Sequence, residues 1–312
     1  MWFLLSGVYL GWSLGANNTA NVFGPGVTSG LISYRSAVTL TAIFVILGAL
    51  MEGTKPMGTV GYFTSLTLFT ALLATLSAGA TVSLMTYLKL PVSTSQAILG
   101  AIMGIAIMGE GLKGLPMDKL TKVILCWIFT PLGAAAISFL LFIGLGYWVN
   151  RIRGLPIFTR LMKIGILVIG CFGAYALGSN NVANTTGAFV GTGLITPIEG
   201  ALIGSISIGV GAITYSRGVM ISIGRRISLL DPFSALVVVL AGAITVYLYT
   251  QIGVPVSTSQ AVVGAIAAIG LAKGIRTVNK KMLFFILLGW ISTPLLAASL
   301  SFLMLLPFSR II

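Results

Sequence analysis

The sequence predicts an all-α integral membrane protein made of two inverted-topology repeats, with broken helices or re-entrant hairpins meeting near the midplane. Three observations lead to this fold class. Of the 312 residues, 57% are hydrophobic and only 7% are charged, whereas a soluble domain carries about 25% charged residues. Long apolar segments run along the whole chain, and two polar motifs each occur twice. We therefore expect a multi-pass protein of the plasma membrane, in contact with the lipid bilayer.

The apolar segments give the predicted crossings, since a membrane span needs about 20 apolar residues. The segments after Pro91 and Pro255 are shorter, and each begins at a proline break. The polar, glycine-rich stretches 15–30 and 178–193 adjoin apolar segments without a charged loop, which predicts irregular backbone held at membrane depth. The predicted segments are 2–16, 36–53, 62–88, 94–109, 121–149, 161–178, 198–215, 228–251, 257–272 and 282–306.

An internal repeat is the strongest signal in the sequence. The heptapeptide at 15–21 matches that at 178–184 at an offset of 163, and the hexapeptide at 91–96 recurs identically at 255–260. Each half of the chain is therefore one copy of the same unit. The matched stretches are Gly-Ala-Asn-Asn-Thr-Ala-Asn with Gly-Ser-Asn-Asn-Val-Ala-Asn, both copies of Pro-Val-Ser-Thr-Ser-Gln, and Thr130-Pro131-Leu132 with Thr293-Pro294-Leu295.

The charge distribution predicts that the two copies are inverted. The stretches 151–163, 217–226 and 273–281 are basic and contain no acid, which places them on the cytoplasmic side. Their first-half equivalents have a smaller basic excess, so equivalent loops are expected on opposite sides. The predicted organisation is a first repeat at 1–150, a basic cytoplasmic linker at 151–163 and a second, inverted repeat at 164–312. Whether each proline-broken segment is a re-entrant hairpin or two full spans stays open.

The composition also excludes several classes of function. The net charge of +13 would suggest nucleic acid in a soluble protein, but here it fits cytoplasmic loops, and we expect no nucleic-acid partner. The chain has no histidine and no nucleotide-binding signature, its two cysteines lie in apolar runs, and its five acids are scattered. We therefore expect neither an enzyme nor an organic cofactor. The acids are Glu52, Glu110, Asp118, Glu199 and Asp231.

The two Ser-Thr-Ser-Gln tips are the first candidate binding element. Each follows a proline that ends the preceding helix, and a Ser or Thr is well placed to cap the next helix. The free N–H groups and positive dipole of such a helix start favour an anion. The alternative is that these residues merely cap a kinked helix. The predicted anion-binding residues here are Ser93, Thr94, Ser95, Gln96, Ser257, Thr258, Ser259 and Gln260.

The duplicated asparagines are the second candidate element. An i,i+4 spacing puts two amides on one helical face, and an amide offers an oxygen to a cation and N–H donors to an anion. The alternative is hydrogen bonding between helices. We expect Asn17 and Asn180 at the anion, and Asn18, Asn21, Asn181 and Asn184 at a coupling ion, with Na⁺ as the possible metal.

Lys89 occurs in only one copy of the repeat. It lies four residues before Ser93 and could supply positive charge to the anion. It could equally extend to the interface or to water.

These motifs resemble the inorganic phosphate transporter (PiT) family, which includes bacterial phosphate permeases and eukaryotic sodium-phosphate symporters. The resemblance covers nearly the whole chain. It implies secondary uptake of phosphate driven by Na⁺ or H⁺ through alternating access, two inverted repeats, and a homodimer. It also implies that the anion meets the tips and that the asparagine clusters serve the anion and the coupling ion. A sulfate permease of the same fold and a passive anion channel are the alternatives.

Two departures from the family pattern bear on the substrate and the coupling ion. Asn18 and Asn181 stand where the family motif has aspartate, and Val45 and Val239 align where many relatives have glutamate. Fewer carboxylates weaken the case for conventional Na⁺ coupling, although carbonyl and hydroxyl oxygens alone can bind Na⁺. A site containing only donors would also tolerate sulfate, which carries no proton that needs an acceptor.

Overall fold

Helices form every regular element in the computed structural model, which describes residues 1–222, 230–274 and 279–308. Arg225, Arg226 and Arg276, which belong to two predicted basic stretches, lie outside the described residues. The α-helices are α1 (Leu4–Thr28), α2 (Tyr34–Glu52), α3 (Met57–Gly61), α4 (Leu68–Tyr87), α5 (Thr94–Glu110), α6 (Met117–Val149), α7 (Leu155–Gly191), α8 (Pro197–Tyr215), α9 (Arg217–Ser222), α10 (Pro232–Gln251), α11 (Thr258–Ala272) and α12 (Lys280–Leu305).

Eight helices in the described part of the chain are long and apolar enough to cross a membrane. They are α2, α4, α5 with the short 3₁₀ turn after it, α6, α7, α8, α10 and α12. Helix α11 is apolar but has only 15 residues. The prediction of an all-α, multi-pass membrane protein is confirmed.

The asparagine-containing stretches are continuous helix, so the prediction of irregular backbone there was wrong. Helix α1 runs through Gly15 and α7 runs through Gly178. A Cβ at Gly15 would lie 1.9 Å from the Ile208 carbonyl oxygen, and one at Gly178 would lie 2.1 Å from the Val45 carbonyl oxygen. These glycines allow two helix backbones to approach closely, as small residues commonly do in membranes, and do not break the helix.

The proline breaks are present where the sequence predicted them. Helix α4 ends at Tyr87 and α5 begins at Thr94, so the chain through Pro91 is not helical. The same interruption, through Pro255, separates α10 from α11. Proline lacks an N–H donor and restricts the residue before it, which explains both breaks. Helices α4 and α5 form a first hairpin, and α10 and α11 form a second.

The packing between the two halves is reciprocal. Helix α1 packs on α8 and α7 packs on α2 through equivalent glycines. Likewise α5 packs on α12 and α11 on α6: Gly100 abuts Pro294, and Gly264 abuts Pro131. In each case the same contact is made twice, with the roles of the two halves exchanged. Such reciprocal contacts are typical of two units related by a two-fold axis. The halves therefore interlock and share one core.

The predicted basic linker at 151–163 is partly helical. Helix α7 begins at Leu155, so Arg160 and Lys163 lie on its first turns. The same helix continues through the second asparagine cluster. A single 37-residue helix thus joins the linker to the centre of the molecule.

Candidate functional site

Each hairpin has a short tip that leads into its second arm. Ser93 is the N-cap of α5, and its Oγ accepts a hydrogen bond from the Gln96 amide at 3.2 Å. Ser257 caps α11 in the same way, 3.2 Å from the Gln260 amide. All eight predicted tip residues are buried. The expected helix starts are therefore present, and they lie in the interior of the protein.

The two tips touch each other directly. Ser95 Oγ donates to the Val256 carbonyl oxygen at 3.0 Å. In the mirrored contact, Ser259 Oγ donates to the Val92 carbonyl oxygen at 2.8 Å. Both serines have no exposed surface. These bonds place the first turns of α5 and α11 side by side, although the two serines are far apart in sequence.

Asn17 holds the first tip in place. Its Nδ2 donates to Thr86 Oγ1 and to the Leu90 carbonyl oxygen, both at 3.0 Å, and its Oδ1 accepts from the Val92 amide at 3.1 Å. Thr86 Oγ1 donates its own proton to the Val82 carbonyl oxygen, so it can only accept from Asn17. The orientation of the Asn17 amide is thereby fixed, and both of its polar atoms are used by the protein.

Asn180 holds the second tip with the same bonds. Its Nδ2 donates to Thr250 Oγ1 at 3.2 Å and to the Val254 carbonyl oxygen at 3.0 Å, and its Oδ1 accepts from the Val256 amide at 2.8 Å. Asn17 and Asn180 were predicted from the sequence to contact the anion. The structure instead gives their polar atoms protein partners, so we treat both as positioning residues for the tips.

Asn21 and Asn184 bind the tip serines across the two halves. Asn21 Nδ2 donates to Ser259 Oγ at 2.9 Å, and Asn184 Nδ2 donates to Ser95 Oγ at 3.0 Å. Each serine already donates its proton to a carbonyl oxygen of the opposite tip, so it must accept from the amide. The Oδ1 atoms of both asparagines therefore face away from the serines, and both are buried without a hydrogen-bond partner in the described residues.

Asn18 and Asn181 complete the asparagine clusters but do so unequally. Asn18 Nδ2 donates to Thr258 Oγ1 at 3.3 Å, and its Oδ1 has no partner in the described part of the chain. Asn181 Oδ1 accepts from Asn184 Nδ2 at 3.1 Å. The two halves therefore do not offer identical sets of oxygens.

The centre of the protein contains more buried oxygen atoms than the described chain satisfies. A buried polar atom without a partner costs about 1–3 kcal/mol, so these atoms are candidate contacts for a bound ion or an ordered water. Oxygen atoms are the ligands of hard cations such as Na⁺, and the unpartnered atoms here are neutral carbonyl and hydroxyl oxygens. The unpartnered oxygens are Asn18 Oδ1, Asn21 Oδ1, Asn184 Oδ1, Thr94 Oγ1, Gln96 Oε1 and Gln260 Oε1.

Donors for an anion lie beside these oxygens. The first N–H groups of a helix have no intrahelical acceptor. This holds for Thr94 and Ser95 in α5 and for Thr258 and Ser259 in α11. Two helix dipoles also present their positive ends here, each contributing about 0.3–1 kcal/mol to an anion. The tips can therefore surround a small anion with neutral donors.

The tips and the asparagine clusters contain no ionisable side chain. In the described residues there is also no group of three His, Cys, Asp or Glu side chains that could hold a metal ion. Any cation bound at this site must therefore be held by neutral oxygens, and any anion by neutral donors and helix dipoles.

Gln96 and Gln260 point to a different cavity. Both line a space of about 480 Å³ between α6 and α12, together with Trp127 and Trp290. The indole N–H groups of both tryptophans are buried without a partner in the described residues. The structure thus places the two glutamines at the side of the tips and not between them.

Lys89 lies apart from the tip cluster. It is exposed, has a left-handed backbone with φ of 59°, and borders a cavity with Arg217. This position agrees with the second interpretation of the sequence, in which Lys89 extends to the interface or to water. The structure does not bring Lys89 to the Ser93 tip.

Glu52 is the centre of a hydrogen-bonded network that was not predicted from the sequence. Its Oε2 accepts from Lys55 at 2.8 Å and Gln251 at 2.6 Å, and its Oε1 accepts from Tyr175 at 2.8 Å and Tyr247 at 3.2 Å. The Glu52–Lys55 pair was visible as neighbouring residues. The other three partners lie 123 to 199 positions away, and no local pattern marks them.

Comparison with known proteins decides the family. A model of the phosphate transporter family matches residues 14–301. The chain belongs to the phosphate transporter family. It is therefore a multi-pass transport protein of the plasma membrane and not an enzyme.

Individual members of the family are similar over almost their full length. A protein described as a phosphate permease in Methanocaldococcus jannaschii is 32% identical over 96% of this chain and 94% of its own. The sulfate permease CysP of Bacillus subtilis is 28% identical over 96% of this chain and 86% of its own. A solved structure described as the sodium-dependent phosphate transporter matches with a TM-score of 0.90 at 21% identity, covering both chains completely. At that identity the match establishes the fold.

Proposed function

We propose that this family member is a secondary active transporter that imports inorganic phosphate together with Na⁺ by alternating access. The joined N-termini of α5 and α11 carry the proposal, because they bring together four helix-start N–H groups and the unpartnered buried oxygens of Asn18, Asn21, Asn184 and Thr94. Donors suit the anion and oxygens suit the cation. The phosphate permeases among the relatives support this substrate.

The anion binds at the tips in this proposal. Its contacts are the backbone amides of the first turns and the side chains of Ser93, Thr94, Ser257 and Thr258. Ser95 and Ser259 keep the two tips joined and present their amides. Gln96 and Gln260 contribute from the side. Asn17 and Asn180 position the tips without touching the anion.

The coupling ion binds at Asn18, Asn21, Asn181 and Asn184. Na⁺ is favoured over H⁺ because the cluster contains oxygen ligands but no group that titrates. A solved relative described as sodium-dependent supports the same choice. Proton coupling would require the proton to travel on the phosphate itself.

Alternating access follows from the two interlocked halves. In the proposed inverted arrangement the hairpins enter from opposite sides, and their tips meet through the Ser95–Val256 and Ser259–Val92 bonds. If both arms of each hairpin crossed the membrane completely, each tip would lie at the far face of the bilayer. The two tips would then be about 30 Å apart and could not touch. We therefore favour re-entrant hairpins, with one repeat or bundle moving against the other. The boundaries 1–150, 151–163 and 164–312, and the homodimer that the resemblance implies, belong to this proposal.

Sulfate is the second candidate substrate. The sulfate permease CysP is among the relatives, and asparagine replaces the aspartate of the family motif in both halves. Phosphate is still preferred because Thr94 Oγ1, an unpartnered hydroxyl oxygen at the first tip, can receive the proton of HPO₄²⁻.

Transport in proteoliposomes tests these assignments. We expect ³²P-phosphate to accumulate above equilibrium under an inward Na⁺ gradient, and less so under a pH gradient alone. Greater uptake of ³⁵S-sulfate would establish the second substrate, and uptake that never exceeds equilibrium would indicate a passive channel. Uptake of neither anion under any gradient would contradict the proposal.

A further inference from the structure

Two cavities in the described part of the chain are each lined by a pair of cationic side chains. The first, here called the Lys89 vestibule, has a volume of about 220 Å³. Its lining includes Lys89, Arg217, Thr86, Tyr87 and Thr214. It therefore combines two cations with hydroxyl groups, the side chains that suit a tetrahedral oxyanion.

The second cavity, here called the Lys119 vestibule, has a volume of about 270 Å³. Its lining includes Lys119, Lys122, Thr59, Tyr62 and Val254. It repeats the chemistry of the first cavity with different residues. With water occupying about 30 Å³ per molecule, each vestibule is large enough for a hydrated small anion.

Neither vestibule is lined by a carboxylate, although the chain contains five acids. Asp118 adjoins Lys119 in sequence, but no ion pair joins it to Lys119 or Lys122 among the described residues. Lys119 Nζ donates to the Tyr62 carbonyl oxygen, and Arg217 lies 5.9 Å from the Tyr34 ring. These contacts position the cations without neutralising them.

Each vestibule adjoins the residues that hold one tip. Thr86 lines the first vestibule, and its Oγ1 accepts the hydrogen bond from Asn17. Val254 lines the second vestibule, and its carbonyl oxygen accepts the hydrogen bond from Asn180. Each vestibule therefore shares one lining residue with the hydrogen bonds that hold a tip.

We propose that the two vestibules are recruitment sites for the transported oxyanion, one on each side of the membrane. This inference rests on the proposed function and adds a binding step before the tips. The charge distribution predicts that Arg217 of the Lys89 vestibule lies on the cytoplasmic side, and that Lys119 and Lys122 lie on the external side. An anion reaching the protein from either side meets a cation pair before it meets the neutral donors of the tips.

The physical effect is an increase in local anion concentration. Attraction by exposed charges raises capture rates and weakens as salt screens it, with a Debye length of about 8 Å at physiological ionic strength. Loss of a vestibule should therefore raise the KM for transport from its own side and leave kcat nearly unchanged.

The experiment compares two neutralised pairs with a matched control. The variants are Lys119→Gln/Lys122→Gln and Lys89→Gln/Arg217→Gln. The control is Lys280→Gln/Lys281→Gln, which removes the same charge from exposed positions that line neither vestibule. Initial rates of ³²P-phosphate transport are measured in whole cells for external entry and in inside-out vesicles for internal entry, at low and high salt.

We expect neutralisation of Lys119 and Lys122 to raise the KM for external entry about fivefold at low salt. Neutralisation of Lys89 and Arg217 should raise the KM for internal entry by the same factor. Both effects should shrink below about twofold in high salt. The proposal would be overturned if neither double variant changed the KM, or if both changed the KM for entry from the same side. Either result would leave transport itself intact. Absence of transport by the unmodified protein would instead contradict the proposed function.

Anionic lipid headgroups share the chemistry of the free anion, so a second arm separates the two. The same variants are compared in vesicles of pure phosphatidylcholine and in vesicles containing phosphatidylglycerol. The effect on KM should persist in pure phosphatidylcholine. An effect found only with phosphatidylglycerol would assign the vestibules to lipid and overturn recruitment of the free anion.

Discussion

Asn21 and Ser259 are 238 residues apart in sequence and are joined by a 2.9 Å hydrogen bond at the centre of the molecule. The repeat-equivalent bond joins Asn184 to Ser95 at 3.0 Å. Each half therefore supplies the asparagine that orients the serine of the other half. Because each serine gives its own proton to the opposite tip, the four side chains and two tips form one connected network.

Removing one tip serine should weaken anion binding. Ser95→Ala deletes the donor to the Val256 carbonyl oxygen and the acceptor of Asn184 Nδ2, so the two tips lose half of their serine bridges. We expect phosphate affinity to fall about tenfold, which corresponds to about 1.4 kcal/mol. Isothermal titration calorimetry with phosphate measures this affinity.

Ser138→Ala is the matched control for that variant. Ser138 is equally buried and also donates to a backbone carbonyl oxygen of a neighbouring helix, that of Ala265 at 3.1 Å. It lies outside the tips. Equal losses of phosphate affinity in the two variants would mean that Ser95 acts only on packing.

Restoring a carboxylate at the first asparagine cluster should strengthen cation binding. Asn18 Oδ1 is buried and unpartnered in the described residues, so an aspartate there needs a bound cation or a proton. We expect Asn18→Asp to lower the Na⁺ concentration for half-maximal uptake about tenfold and to add a loss of uptake at acidic pH. Asn150→Asp, at an exposed helix end, is the control. An unchanged Na⁺ dependence would exclude Asn18 from the cation site.

Loss of the amide that holds a tip should destabilise the protein. Asn17→Ala removes three hydrogen bonds, one to Thr86 in the last turn of α4 and two to Leu90 and Val92 in the segment between α4 and α5. We expect the free energy of unfolding to fall by about 2–4 kcal/mol, measured by denaturation in detergent with Asn150→Ala for comparison. A stability equal to that of the control would show that the tip is held by other contacts.

Adding one methyl group at a close helix crossing should also be destabilising. A Cβ at Gly178 would lie 2.1 Å from the Val45 carbonyl oxygen, whereas one at Gly133 would meet nothing within 4 Å. We expect Gly178→Ala to cost about 1–3 kcal/mol through overpacking. Gly133→Ala should be neutral or slightly stabilising. Thermal unfolding of both variants checks this, and equal melting temperatures would contradict it.

The base of the second hairpin should be sensitive to acid. Asp231 caps α10 and pairs with Lys273 at the end of α11. Burial raises the pKa of Asp231, but the bonds from Lys273 and Ser234 outweigh it, so the net pKa lies below the ordinary value. The resulting stabilisation is present above the unfolded-state pKa of about 3.9 and is lost as the pH falls through the lower folded-state pKa.

Asp231→Asn is the variant that tests this dependence. It keeps a side chain able to cap the helix but carries no charge. We expect the melting temperature of the unmodified protein to drop more than that of Asp231→Asn between about pH 6 and pH 3. Parallel curves would show that the Asp231–Lys273 pair contributes nothing to acid sensitivity.

The sequence by itself determined the membrane class, the duplication, the proline breaks and the family. These features are local, since apolar length, proline chemistry and repeated motifs can be recognised without knowing which residues meet. For the same reason a Ser or Thr cap was predicted after each proline, and the structure identifies the caps as Ser93 and Ser257.

Only the tertiary structure decided what each asparagine does. Asn17 and Asn18 are adjacent in sequence, yet Asn17 has both polar atoms bonded to the protein while the Asn18 oxygen has no partner in the described chain. A helix turns each residue by about 100°, so neighbours face different surroundings. From the sequence, Gly15 and Gly178 could mark either a break in a helix or a close crossing of two helices. The neighbouring backbones packed against both glycines show that they mark close crossings.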